Sequence, residues 1–441
     1  MRESHTFLNF FRSTFKAPLK ALETALHPQK TSKLPLFFLY IRQVSAGLII
    51  YQPVFVPFLL ERGLNMLDVA LLQTTYNLGV LALDIPTGFF ADKVGRKWAL
   101  ACANAALVIG TCLLVFGHSL FVFILAELFY ALAIAMDSGT HSAYLYEWLR
   151  THKKENEYYR YDALGTFLLL GIGSLGTLVA GYAAEGSLLI PVTLTVVLTA
   201  IGVPAACLLP NIEKDGFFSK TSLQDNLERS EISIKGALRI LQRIFNTNGL
   251  IWAIGLTALW FWARQFNNLI VAAPYFGSLG LEYHSYGILF SILTFVGGII
   301  AFTSRKLIQK PDLSIITFVG LVAIPLSFGL MGGIPSQVGL IGYFLFAIPQ
   351  GLCTAVTNSL LNRQFSAHSH RATFLSIVDF FVRIVASSLA LILGWVLAHK
   401  GIGTTLLCAT VFSGTAAVLL SFGILKYAVS TQVGSPAARK P

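Results

Sequence analysis

The residues of this chain that could do chemistry are ionisable side chains set inside long apolar runs: Arg42, Asp84, Glu127, Asp137, Arg264, Asp379 and Arg383. A charge at the centre of a bilayer costs roughly 2.5–3.5 kcal/mol or more unless it is paired or wet, so each of these groups needs a partner or a water-filled space. Arg42 lies about eight residues into one run, which is ~12 Å deep in a helix. Asp137 reaches a comparable depth in another run. An Arg42–Asp137 pair is the expectation, either facing a water-filled space or purely structural. Arg264 stands among Trp260, Trp262, Gln265, Asn267 and Asn268. Such a group could hold an anionic or aromatic solute by charge, stacking and amide hydrogen bonds. Its plainer alternative is an interfacial aromatic belt with a snorkelling arginine. Asp379 and Arg383 are one helical turn apart, which predicts a local ion pair. Glu127 has no obvious partner in the sequence and is the candidate for a proton-titrating group. The histidines are scattered, His141 alone falling close to Asp137, and no metal site is expected.

The elements that must carry these side chains follow from composition. Of 441 residues, 55% are hydrophobic and 12% charged, where a soluble chain carries about a quarter charged residues. The five cysteines lie in apolar runs without metal-ligand or disulfide spacing and read as packing residues. A helix needs about 20 apolar residues to cross ~30 Å of hydrocarbon. Twelve runs meet that need: 34–60, 67–90, 98–117, 120–145, 161–184, 187–209, 248–276, 284–303, 312–332, 336–361, 372–398 and 402–426. With residue 1 placed in the cytoplasm, cytoplasmic segments hold 27 of the 32 lysines and arginines, and external loops hold only Arg62 and Lys400. This asymmetry predicts cytoplasmic termini. It also assigns the +11 net charge to anionic lipid rather than to nucleic acid.

Two segments do not span. Residues 7–22 place Phe7, Phe11, Phe15, Leu19 and Leu22 at helical spacing with Arg12, Lys16 and Lys20 between them, suggesting a helix lying on the membrane surface. Residues 210–247 form the long polar stretch that divides the runs six and six. The expected organisation is a tail at 1–33, a six-helix bundle at 34–209, a loop at 210–247, a second bundle at 248–426 and a tail at 427–441. The halves echo each other: Ala135, Gly139, Ala143 and Leu149 recur as Ala347, Gly351, Ala355 and Leu361 at an offset of 212. Arg160 and Arg371 lie 211 apart, and Gly88 and Ala91 recur as Gly298 and Ala301 at 210.

The sharpest motif follows the second run: Gly88-Phe89-Phe90-Ala91-Asp92-Lys93-Val94-Gly95-Arg96-Lys97. Gly88 would let its helix approach a neighbour closely, and Gly95 would supply turn freedom. Asp92 could pair with Arg96 or face a helix N-terminus. This Gly-x-x-x-Asp-x-x-Gly-Arg-Lys loop resembles the signature of the major facilitator superfamily. The preceding Asp84-Ile85-Pro86-Thr87, together with Asp137-Ser138-Gly139-Thr140-His141-Ser142-Ala143 and Arg371-Ala372-Thr373-Phe374-Leu375-Ser376, resembles a bacterial branch of it.

The resemblance implies an all-α membrane protein of twelve transmembrane helices in two parallel six-helix repeats. The first, fourth, seventh and tenth helices would line a central cavity, and Asp84, Gly88, Asp92, Gly95, Arg96 and Lys97 would form a gate. The candidate cavity residues are then Arg42, Glu127, Asp137, Arg264, Gln265, Asn268, Asp379 and Arg383. The function implied is secondary transport of a small-molecule substrate by a multi-pass monomer in the bacterial inner membrane. No cofactor, nucleic acid or enzymatic step is expected, and proton coupling is open. Departures weaken a drug/proton antiporter reading: the fourth run carries Glu127 but no arginine, and the fifth has five glycines but no Gly-Pro. In the second half the signature loop is reduced to Arg305-Lys306. Export of drugs or amphipathic metabolites is weighed against import of a siderophore or nutrient, and against a receptor or sensor that moves nothing.

Overall fold

A computed structural model describes residues 34–212, 248–308, 314–334, 336–352 and 371–433. The amphipathic segment at 7–22, most of the central loop and the stretch 353–370 lie outside them. Helices dominate: α1 (Leu34–Glu61), α2 (Met66–Val94), α3 (Arg96–Phe116), α4 (Leu120–Thr151), α5 (Tyr158–Ala184) and α6 (Leu189–Cys207). α7 runs from Asn248–Phe266 through a π turn at Asn267–Val271 to Ala272–Ser278. Then come α8 (Tyr283–Ile308), α9 (Ser314–Gly333) and α10 (Gln337–Leu352). The helical stretch Arg371–Val433 divides at Gly401 (φ 78°) into α11 (371–400) and α12 (402–433). Among the described residues nine helices are long and apolar enough to cross a membrane, with α11 and α12 taken together and α7 and α10 not included.

Local sequence explains the element ends. Asn65 caps α2 through Leu67 N and Asp68 N, and Asp68 returns the bond to Asn65 N, a reciprocal capping box. Pro53 sits in a 3-10 turn at Gln52–Val54 that interrupts α1, since proline cannot donate to a continuing helix. α4 breaks between Asp137 and Thr140, where Gly139 takes φ 73°, a conformation that costs other residues ~1–2 kcal/mol.

The six helices before residue 213 pack mainly on one another; after 247, α7 and α9 pack on the α11–α12 stretch and α9 on α10, while among the described residues α8 lies mainly against α5. Two seams join the groups: α5 lies along α8, and α2 along α11. The α5–α8 seam is tightest at Gly181 and Gly287, where a Cβ on Gly181 would stand 2.7 Å from Gly287 Cα. Only glycine admits that backbone approach, and small residues are the usual means of close packing in lipid. One end of the bundle carries Leu34, Val94 and Arg96; the other carries Arg62, Gly117 and Glu185. At the Arg62 face the groups close over each other, Phe55 and Phe58 of α1 sharing a buried core with Ala273 and Phe276 of α7.

Candidate functional site

Two charged clusters emerge. The first lies wholly within the first six helices. Arg42 Nη1 is 2.6 Å from Asp137 Oδ1 and 3.2 Å from Asn104 Oδ1, while Nη2 is 3.0 Å from His141 Nδ1. A guanidinium only donates, so Nδ1 of His141 accepts and its proton resides on Nε2. Arg42 is fully buried, whereas Asp137 is 35% exposed. The guanidinium therefore does not face a cavity in this conformation: it ties α1, α3 and α4 together, with His141 reaching it from beyond the break at Gly139. Asn104 was not legible as a member, because an amide in an apolar run carries no charge that demands a partner.

The second cluster faces a cavity of ≈ 310 Å³ between the two groups of helices. α1 presents Tyr51 and Gln52, α2 Gln73 and Tyr76, α4 Glu127 and Tyr130, and α7 Arg264, Gln265 and Asn268. The 3-10 turn of α1 and the π turn of α7 both lie at this level, and π turns inside α-helices recur at functional sites. Glu127 is only 8% exposed and has no hydrogen-bond or ion-pair partner among the described residues. Arg264 is exposed to the cavity and pairs with no carboxylate there; its guanidinium lies 6.0 Å from the Phe261 ring centre.

Beside Glu127 runs a directional hydrogen-bond chain. Thr111 donates to Leu107 O (2.9 Å), which uses its only proton. Tyr130 must then donate to Thr111 (2.8 Å), and Tyr51 donates to Tyr130 (2.8 Å). The phenolic oxygen of Tyr51 is left with lone pairs alone.

The environment expected around Arg264 divides. Gln265 and Asn268 line the cavity with it, but Trp260, Trp262 and Asn267 are buried. The indole of Trp262 packs on Phe266, Phe328 and Phe412. A core position for both indoles excludes the interfacial belt and also any stacking of a solute on them. The aromatic walls of the cavity are tyrosines instead.

A polar seam flanks the cavity. Asn77 of α2 and Gln265 of α7 exchange two hydrogen bonds of 2.9 and 3.2 Å. Arg383 of α11 is 2.6 Å from Asp379 and 3.5 Å from Asn77 Oδ1, with its guanidinium 5.5 Å from the Phe261 ring centre. The Asp379–Arg383 pair thus belongs to the α2–α11 seam. Asn268 donates to Gln350 of α10 (3.3 Å). Asp84 is half-buried on α2, where Thr87 bonds back to Leu83 O (2.8 Å) beside Pro86.

The signature loop sits at the Leu34 face. Gly95, at φ 101°, ends α2 and begins α3. Arg96 pairs with Glu147 at 2.8 Å, so it reaches α4 rather than serving only its own loop. Lys97 lies over Trp98 (5.3 Å). Among the described residues a Cβ on Gly88 would meet nothing within 4 Å, and Gly88 is exposed. The side chains of the Arg371-Ala372-Thr373-Phe374-Leu375-Ser376 segment at the start of α11 lie outside those described.

A larger groove of ≈ 570 Å³ opens at the Arg62 face, but Glu61 is the one charged residue in its lining. The smaller cavity, with opposed charges from both helical groups, is the candidate site.

Comparisons with known proteins agree with this geometry. The family model of the Major Facilitator Superfamily matches residues 43–387. An uncharacterized MFS-type transporter, YxaM, of Bacillus subtilis (strain 168) is 24% identical over 353 residues, covering 77% of this chain and 82% of that protein. A point-mutant form of the nucleoside transporter NupG superposes with a TM-score of 0.67 at 18% identity, covering 89% of this chain and 98% of its own. A D-xylose-proton symporter gives 0.65 at 13% identity, covering 88% and 95%.

Proposed function

This chain belongs to the major facilitator superfamily, and from that premise we propose that it carries a small organic solute across the membrane by alternating access around the cavity between α1, α2, α4 and α7. The observation that carries the reading is a pair of charges without ion-pair partners among the described residues, Glu127 from one helical group and Arg264 from the other, in that single cavity. Ionisable groups in lipid-spanning helices mark solute or ion pathways when they face a cavity without a partner. Rocking one group against the other would change the distance between the two charges and the side to which the cavity opens.

Proton uptake at Glu127 is part of the proposal. Glu127 lines the cavity shared by both helical groups, so rocking them would expose its carboxyl to either side in turn. The Leu34 face is assigned to the cytoplasm by its lysines and arginines, and the membrane to a bacterial inner membrane. With the Arg62 face packed shut, the conformation is then closed to the outside. Export of amphipathic solutes is favoured over nutrient import by the tyrosine-rich walls. The protein is read as a monomer.

The test is solute movement in inverted vesicles and proteoliposomes against a compound panel, with and without a proton gradient. Gradient-dependent movement lost in Glu127→Gln supports the reading. Binding without movement of any bound compound would instead support a sensor.

A further inference from the structure

The cavity has two chemically opposite poles, and resting on the transport reading above we infer that its solute is dipolar: a small aromatic body with an ammonium-type donor at one end and a carboxylate-type anion at the other. At the first pole stand the Glu127 carboxylate and the Tyr51 oxygen. Glu127 is more than nine-tenths buried, lines the cavity and accepts no hydrogen bond from the described residues. The proton of Tyr51 is committed to Tyr130, whose own proton is committed to Thr111. Both groups at this pole can therefore only accept, and a cationic N–H donor satisfies both.

The second pole is the reverse. Arg264 offers N–H donors and no acceptor. It is exposed to the cavity, and its one recorded partner is the Phe261 ring. Gln265 cannot replace the anion, because its amide is occupied by Asn77. A carboxylate of the solute would meet the guanidinium in the fork geometry that suits it.

The poles do not satisfy each other. Glu127 and Arg264 line one cavity yet form no ion pair within 4.0 Å, so a space separates them. Tyr51, Tyr76 and Tyr130 wall that space and suit a planar ring. The ≈ 310 Å³ volume is at the small end of ligand pockets, which fits one ring rather than several. A solute with both charges would bridge the two helical groups, whereas one with a single charge would leave the opposite pole bare.

The experiment uses four compounds on one ring: 4-(aminomethyl)benzoate with both charges, benzylamine with the cation, 4-methylbenzoate with the anion and 4-methylbenzyl alcohol with neither. Binding to the full-length purified protein is read by thermal shift and calorimetry, and movement by counterflow in proteoliposomes. The doubly charged compound should bind about tenfold to a hundredfold more tightly than either singly charged one, the span of one charge-assisted hydrogen-bonded contact. Glu127→Gln should erase its advantage over 4-methylbenzoate, and Arg264→Gln its advantage over benzylamine. Arg264→Lys should restore part of the latter. Equal binding of the doubly charged compound and either singly charged one in the wild type would overturn the inference, whether or not any variant folds. So would binding of none of the four. The two readings fail separately. Bipolar-dependent binding without counterflow would leave the solute class standing and remove transport. Counterflow of benzylamine at the rate of 4-(aminomethyl)benzoate would do the opposite.

Discussion

Arg42 and Arg264 are both arginines in mid-helix, yet they live in opposite circumstances. Arg42 is wholly buried and held by Asp137, Asn104 and His141 from helices of its own group. Arg264 opens to a cavity, and the carboxylate that shares that cavity with it, Glu127, belongs to the other group and stays beyond ion-pair reach. The first arrangement is complete without a ligand, and the second is not. Burial of a charge is thus a poor guide to function by itself; an unmet charge facing a shared space is a better one.

The comparison breaks if the two arginine sites respond alike to substitution. The largest expected effect is on Arg42→Ala, which leaves Asp137 uncompensated. Breaking a buried pair costs about 3–5 kcal/mol, and the lower end applies here because Asp137 is 35% exposed. Melting in detergent and abundance in the membrane should both fall sharply. A normal melting curve would show that the cluster does not hold α1, α3 and α4 together.

Glu127→Gln should show the converse. Its melting temperature should equal or slightly exceed that of the wild type, because a neutral amide replaces a buried carboxylate that has no partner. Transport should fall tenfold or more in vesicle flux. Retained flux in this variant would move the candidate chemistry away from the cavity.

Gly139→Ala sharpens the structural side. At φ 73° a Cβ costs ~1–2 kcal/mol, although nothing within 4 Å would be struck. The loss should therefore appear in stability, and combining it with Arg42→Ala should give less than the sum, because both act on one cluster. Strict additivity would separate the break from the cluster.

The smallest effects belong to the two faces. Arg96 and Glu147 are 27% and 30% exposed, so Glu147→Gln should change stability by ~0–1 kcal/mol. At the opposite face Glu185 of the α5–α6 turn accepts from His284 N (2.8 Å) at the start of α8. That backbone bond, with the imidazole beside it, holds the carboxyl below its ordinary 4.5. A lowered carboxyl contributes stability above the ordinary value and loses it as pH falls through the lowered one. Closure of the Arg62 face, followed by a spin-label pair across α5 and α8, should loosen only below about pH 4.5. Glu185→Gln should remove that dependence.

The helical membrane architecture was legible because a 20-residue apolar run has few other uses. That Arg42 and Asp137 meet was also legible, since two opposite charges at like depth in lipid seek each other. What escaped is polar but uncharged, or local in geometry. Asn77 joins α2, α7 and α11, yet an asparagine among apolar residues gives no warning of its partners. Glu147 lies just past the expected end of the fourth run at 145, so its pairing with Arg96 was unseen. The π turn at Asn267–Val271 has no residue pattern of its own. The fates of Trp260 and Trp262 turned on which side of α7 faces its neighbours, and the run around them is apolar on every side.

The contact of Gly181 with Gly287 has a mechanical meaning. It lies near one end of α5, close to the Arg62 face, and backbone against backbone leaves no interdigitated side chains to shear. It can therefore serve as a fulcrum. From Gly181 back to Tyr158 the helix extends ~35 Å at 1.5 Å per residue. A tilt of ~10° about that point sweeps the far end through ~6 Å while the fulcrum itself scarcely moves. In such a tilt the short arm would stay nearly still, and the long arm would deliver an opening at the Leu34 face.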